Sequence, residues 1–91
     1  MTLEAVLSWS NERRENTFID LSGRLSDLSP EECVQVAQEL ATCPNLTTLD
    51  LVSNDLGRLA DLAPRFAAAL ATSRTLTTLE LSYNSLGSLN W

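Results

Sequence analysis

The sequence predicts an α/β solenoid with about three short parallel strands on a concave face, helices on a convex face and a capping helix at the N-terminus. The main observation is a twelve-residue stretch that occurs twice, thirty residues apart, at 46–57 and 76–87. The two copies share eight identical residues, and Asp50 in the first is replaced by Glu80 in the second. A helix start at Ser29 and an amphipathic N-terminal segment outside the period complete the pattern.

The N-terminal segment is predicted to form a helix over residues 3–14. Leu3, Val6 and Leu7 have helical spacing, and Thr2 can cap the first turn. Because a solenoid leaves its core open at its ends, we expect this helix to cover the first repeat.

Each repeat is predicted to supply one strand and then one helix, since parallel strands need a crossover of a dozen or more residues. The leucines follow the spacing Leu-x-x-Leu-x-Leu-x-x-Asn-x-Leu. We expect Asn54 and Asn84 to turn inward, where their amides can satisfy backbone groups at the strand ends. The leucines expected in the core are Leu46, Leu49, Leu51, Leu56, Leu76, Leu79, Leu81 and Leu86.

A degenerate first repeat is predicted one period earlier. Ile19 falls where Leu49 lies, but Arg24 stands in place of the asparagine. We interpret the chain as a single domain, 1–91, with a cap helix at 1–15 and repeats at 16–45, 46–75 and 76–91, the last of them incomplete.

Two further helices are predicted, one in each of the first two repeats. Ser29, Pro30 and Glu32 have the pattern of a capping box, and Pro44 ends that helix. The next helix is expected to begin between 61 and 64 and to run to 72. The residues expected on the buried faces are Cys33, Val36, Ala37 and Leu40 in the first of these helices, and Phe66, Ala67 and Leu70 in the second.

The two cysteines are expected to be free thiols. Cys33 and Cys43 lie ten residues apart on one predicted helix, roughly 15 Å apart at ~1.5 Å rise per residue. A disulfide needs Cα atoms within about 7 Å. We therefore expect Cys33 to be a buried residue of the hydrophobic core.

The two leucine runs and the helix that contains Phe66–Leu70 resemble the ribonuclease-inhibitor-like leucine-rich repeats, which are also found in NOD-like receptors and bacterial effectors. The period of thirty residues, Arg24 and the missing final helix depart from that family's pattern. The resemblance implies a protein–protein interaction module that binds its partner on the concave face. No cofactor is expected.

Composition narrows the function further. The net charge of −6 argues against nucleic acid or an anionic membrane as partner, and the chain has no histidine and no lysine, which argues against an enzyme. All six positive charges are arginine. Two explanations for the absence of lysine are a GC-rich coding bias and the avoidance of lysine modification. No signal peptide or membrane span is predicted. A cytoplasmic location is the expectation, and the alternative is secretion into a host cell as an effector.

The candidate binding residues lie where strand alternation points away from the core. Asp20, Asp50 and Glu80 should form a column that suits a protein partner with a basic surface. The other explanation is that aspartate is simply common between such leucines. The predicted partner-binding residues are Asp20, Thr48, Asp50, Val52, Thr78, Glu80, Ser82 and Tyr83.

The alternative function is that of a truncated or self-associating repeat fragment. A last strand without its helix leaves backbone groups and apolar surface open, so two copies could form a homodimer through the C-terminal edge. The residues predicted for this contact are Tyr83, Leu89 and Trp91.

Overall fold

The computed structural model describes residues 2–86 and consists of short parallel strands separated by helices. Its strands are β1 (Phe18–Asp20), β2 (Thr48–Asp50) and β3 (Thr78–Glu80), and its α-helices are α1 (Leu3–Glu12), α2 (Pro30–Leu40) and α3 (Ala63–Ala71). Strand β2 lies between β1 and β3, and both pairs are parallel. Phe18 pairs with Thr48, and Thr48 pairs with Thr78. The predicted thirty-residue period is therefore the register of the sheet.

Helix α1 begins as predicted, with the Thr2 hydroxyl accepting a hydrogen bond from the Ala5 N–H at 3.1 Å. It ends at Glu12, and the predicted extension to residue 14 is wrong. The backbone leaves the helical region at Arg13, whose guanidinium donates to the Trp9 carbonyl at 3.0 Å. The helix packs against α2 and buries Val6 completely.

Helix α2 has the predicted capping box. The Ser29 hydroxyl accepts from the Glu32 N–H at 3.2 Å, and the Glu32 carboxylate accepts from the Ser29 N–H at 2.9 Å. The helix ends at Leu40, so the prediction that Cys43 lies on it is wrong. A proline disfavours the helical conformation at the residue before it, and the chain leaves the helix ahead of Pro44. The four residues expected on the buried face are buried, and Val34 is buried as well.

A 3₁₀ segment over Leu56–Leu62 precedes α3 and was not predicted from the sequence. It is interrupted at Ala60, where φ is 48°. Helix α3 then begins within the expected range and ends at Ala71, one residue before the predicted end. Phe66 and Leu70 are buried as predicted, while Ala67 is only half-buried.

The core lies between the sheet and the helices, and it is complete in the first two repeats. Ile19 and Leu49 on neighbouring strands are at most 1% exposed. The prediction that Leu79 is a core residue is wrong, because Leu79 is 39% exposed. No described residue beyond β3 covers it as the later repeats cover Ile19 and Leu49. The other third-repeat leucines, Leu76, Leu81 and Leu86, are half-buried.

Candidate functional site

One side of the sheet faces away from the helices and is formed by alternate strand residues. We call this surface the open sheet face; it comprises Phe18, Asp20, Thr48, Asp50, Thr78 and Glu80, together with Ser22, Val52 and Ser82 in the turns that follow the strands. All nine side chains are exposed or half-buried, whereas Ile19 and Leu49 between them are buried. The expected alternation is therefore present, and the strand register brings the predicted residues onto one surface.

The acidic residues form a column across the three strands. Asp20 is the register partner of Asp50, and Asp50 is the register partner of Glu80. Neighbouring strands lie about 4.8 Å apart. Two unit charges at about 5 Å repel by roughly 0.8 kcal/mol in bulk water, so a cation on this face would relieve an unfavourable interaction.

Two of these carboxylates also have a role in the local fold that the leucine pattern did not indicate. Asp20 Oδ1 accepts from the Ser22 N–H at 2.9 Å, and Asp50 Oδ1 accepts from the Val52 N–H at 2.9 Å. The hydrogen bonds from Ser22, together with the charge of Arg24, lower the pKa of Asp20 below its ordinary value. Aspartate side chains commonly accept a hydrogen bond from the backbone N–H two residues ahead at a turn. The turn expected after each strand could therefore have predicted these hydrogen bonds. One oxygen of each carboxylate therefore accepts a backbone hydrogen bond at the strand end.

Tyr83 is positioned by a turn that recurs in every repeat. Gly23, Ser53 and Tyr83 are one period apart, and their φ angles are 69°, 60° and 60°. This left-handed conformation is unusual for any residue other than glycine. It directs the Tyr83 side chain into solvent, where it is 85% exposed. Its position at the rim of the open sheet face stays a prediction.

A second exposed surface lies beside β3. A cavity of about 390 Å³ opens between the end of α3 and the start of β3. We call it the β3 groove; its lining includes Leu70, Ala71, Leu76 and Leu79. Of the residues predicted for self-association, Tyr83 is exposed, whereas Leu89 and Trp91 lie outside the described residues.

The thiols do not form a reactive site. Cys33 and Cys43 are free and buried, as expected for Cys33 in the core. Burial raises the pKa of both thiols, although Arg58 beside Cys33 and Arg14 near Cys43 act in the opposite direction. Within residues 2–86, no cluster of three or more histidine, cysteine or acidic residues could hold a metal ion.

The fold is that of a repeat protein in which each unit supplies a strand to one parallel sheet. A family model described as a leucine-rich repeat matches residues 42–58 and 72–89. These two matches contain both copies of the repeated stretch and support a leucine-rich repeat family for the two segments. Such repeats are typically non-enzymatic modules and generally bind protein partners. No curated protein and no solved structure matches the chain. None of the described helices is long and apolar enough to cross a membrane.

Proposed function

We propose that this chain is a protein-interaction module whose open sheet face binds a partner protein with a basic surface. The observation that carries the proposal is the register of Asp20, Asp50 and Glu80, which aligns three acidic side chains across the sheet. None of the three forms an ion pair with another described residue. The chain's net charge of −6 further favours approach of a cationic partner.

Apolar side chains flank this column. Phe18 at one edge is 49% exposed, and Tyr83 at the other is 85% exposed. Aromatic residues are enriched at the buried centres of interfaces, where they supply contact area, and charged residues supply steering and register. On this proposal the acidic column orients the partner, and Phe18 and Tyr83 provide apolar contacts on either side of it.

The test is affinity capture from extracts of the native cell with matched charge variants. Asp50→Asn combined with Glu80→Gln removes two charges, and the asparagine retains an oxygen that can accept from the Val52 N–H. Glu31→Gln combined with Glu39→Gln removes the same charge from exposed positions on α2. We expect the sheet-face variant to lose partner recovery by at least about tenfold, while the helix variant behaves as wild type. Equal recovery by both variants would show that the open sheet face is not the binding surface.

We also propose that the repeats are of the ribonuclease-inhibitor-like kind and curve into a solenoid with the open sheet face on the concave side. The presence of a full α-helix after β1 and another after the 3₁₀ segment supports this subtype. An experimental structure of the chain would test it, and strands that stack without curvature would contradict it.

A cytoplasmic location is proposed for the chain, with delivery into a host cell as an effector as the alternative. The free and buried state of Cys33 and Cys43 suits a reducing compartment. Fractionation of the native cell, with detection of the chain in the medium or in a host cell, distinguishes the two locations.

Self-association through the C-terminal edge is the second proposed function. The exposure of Leu79 beside the outer edge of β3 favours it, because a second copy could pair with that strand edge and cover the leucine. Sedimentation velocity of the full chain tests it directly, and a monomer at every concentration would exclude it.

A further inference from the structure

The two ends of the repeat stack differ in polarity. At the N-terminal end, α1 directs its apolar residues toward the core, and its exposed positions include Glu4, Ser8, Asn11 and Glu12. At the other end, the β3 groove is bordered by Leu70, Leu76 and Leu79. An apolar groove placed against the polar side of α1 would desolvate charges without pairing them. A head-to-tail stack of copies is therefore disfavoured, and the apolar end is better matched by another apolar end.

The outer edge of β3 carries backbone groups that have no partner among the described residues. In the preceding repeat, the Thr47 carbonyl accepts from the N–H groups of Thr77 and Thr78, and the Leu51 N–H donates to the Glu80 carbonyl. The corresponding groups one period on are the Thr77 carbonyl and the Leu81 N–H. Since successive residues alternate in direction, Leu79 presents both its N–H and its carbonyl to the same edge. The edge therefore offers acceptors toward its start and donors toward its end.

We propose that this edge is the interface of a two-fold homodimer in which β3 pairs antiparallel with β3 of a second copy, centred on Leu79. The proposal rests on the second proposed function, self-association, and assigns it a geometry. In this register the two Leu79 residues exchange both of their hydrogen bonds. Each Leu81 N–H then meets the Thr77 carbonyl of the second copy. Four backbone hydrogen bonds form, and no donor on the edge faces another donor.

The side chains that face each other across the proposed interface are compatible with this register. Glu80 lies opposite Thr78 of the second copy, so the acidic residues are not directly opposed and their repulsion is limited. The two-fold axis stands perpendicular to the sheet, so both helix layers lie on the same side. The two β3 grooves then adjoin and bury Leu76 and Leu79 from both copies. The closed symmetry uses up the unpaired edge, which an open stack would leave at its end.

The dimer would also join the two open sheet faces into one surface of six strands. The Glu80 residues of both copies would lie near the axis, with Asp50 and Asp20 extending outward on each side. A partner could then contact both copies at once, and its apparent affinity would rise through the second attachment.

The first experiment is sedimentation velocity on the full chain and two variants. We expect wild type to form dimers at micromolar concentration. Leu79→Arg should raise the dimer dissociation constant by at least about tenfold, because it would bury two charges at the axis. Phe18→Ser, which alters an exposed apolar residue on β1, should leave the dimer unchanged. A dimer disrupted by Phe18→Ser but not by Leu79→Arg would indicate a contact through β1 and overturn the proposal.

The second experiment tests the register by disulfide trapping and does not depend on Leu79→Arg remaining folded. Thr78→Cys and Glu80→Cys are prepared separately, and both substitutions are on the exposed face. A 1:1 mixture should cross-link under mild oxidation, because residues 78 and 80 of different copies are expected roughly 4.5 Å apart between Cα atoms. Each variant alone should cross-link far less, because residue 78 lies diagonally across from residue 78 of the second copy, and residue 80 from residue 80, at a greater distance. Wild type, with its two buried thiols, is the background control.

The outcomes separate the geometry from self-association itself. A dimer in which Glu80→Cys alone cross-links best has a register centred on Glu80, and a dimer without cross-links uses another surface. The first result overturns the register centred on Leu79, the second overturns the β3 pairing, and both retain self-association. A monomer at every concentration overturns both.

Discussion

The side-chain amide of Asn84 accepts a hydrogen bond from the backbone N–H of Asn54 at 2.8 Å. The same oxygen accepts from the Leu56 N–H at 3.2 Å, and Asn84 Nδ2 donates to the Leu51 carbonyl at 2.7 Å. Asn54 makes the corresponding contacts one repeat earlier, accepting from the Leu25 N–H at 2.7 Å and donating to the Leu21 carbonyl at 2.9 Å. Each asparagine therefore satisfies backbone groups of the repeat before its own, and the pair links the repeats into one ladder.

Replacing Asn84 with alanine should destabilise the chain by about 2–4 kcal/mol, because several backbone groups would remain buried without a partner. The comparable change Asn11→Ala removes an exposed amide on α1 and should alter the free energy of unfolding by less than about 0.5 kcal/mol. Urea denaturation monitored by far-ultraviolet circular dichroism measures both values. If the two variants proved equally stable, the ladder would contribute nothing to the fold.

Much of this ladder could be predicted from the sequence, since the repeated spacing indicated two inward asparagines and the parallel register. The role of Arg24 could not. It stands where the asparagine would be, yet its guanidinium lies 4.6 Å from the centre of the Trp9 ring, and Arg13 lies 3.9 Å from the same ring. A cation over an aromatic face is favourable, so the first repeat is linked to α1 by a contact that the leucine pattern does not encode.

The candidate site was predictable in position but not in its details. Alternation on a strand is a local property, so the open sheet face could be deduced directly from the leucines. The hydrogen bonds of Asp20 and Asp50 depend on the conformation of the next two residues, which the repeat pattern does not specify. The exposure of Leu79 depends on whether a further repeat packs beside β3, whereas a pattern assigns the same burial to every repeat.

Gly57 is required by the close approach of two repeats. Its N–H donates to the Asn84 carbonyl at 2.8 Å, and a Cβ at this position would collide with the Ser85 carbonyl oxygen. Gly57→Ala should therefore cost about 2 kcal/mol of folding free energy. The matched variant is Gly23→Ala, where φ is +69° but no atom lies within 4 Å of the added carbon.

Gly23→Ala should cost only about 1 kcal/mol, through backbone strain alone. Because the Gly57 collision involves the third repeat, hydrogen exchange should accelerate more at β3 amides than at β1 amides in Gly57→Ala. Uniform acceleration in both strands would contradict a local collision.

The lowered pKa of Asp20 predicts a specific dependence of stability on pH. A carboxyl whose folded pKa lies below its unfolded value stabilises the fold above the unfolded pKa, and this contribution is lost as the pH falls through the folded pKa. The ordinary value is 3.8, so the loss should occur in acid below that value. Asp20→Asn keeps an acceptor for the Ser22 N–H and does not titrate.

The difference in unfolding free energy between wild type and Asp20→Asn should thus be constant from neutral pH to about 5 and should decrease toward pH 3. Urea titrations at each pH measure it, and Asp61→Asn, at an exposed position of the 3₁₀ segment, corrects for the loss of one charge. A difference that grows as the pH falls would have the wrong sign and would contradict the assigned cause.

Arg58 secures the 3₁₀ segment to the preceding repeat and shields a thiol. Its guanidinium donates to the Leu28 and Leu25 carbonyls at 2.6 Å each and lies 3.7 Å from the Cys33 sulfur. Arg58→Met retains the apolar stem but removes the donor to the Leu28 carbonyl, while the Leu25 carbonyl still accepts from the Leu28 N–H. The free energy of unfolding should therefore fall by about 1–3 kcal/mol. Local opening around Cys33 should rise with it, and reaction of the thiol with a disulfide reagent under native conditions should accelerate by about tenfold or more. Arg65→Met removes an exposed arginine on α3 and is the control for the lost charge. Similar labelling rates in the two variants would show that Arg58 does not hold this part of the core closed.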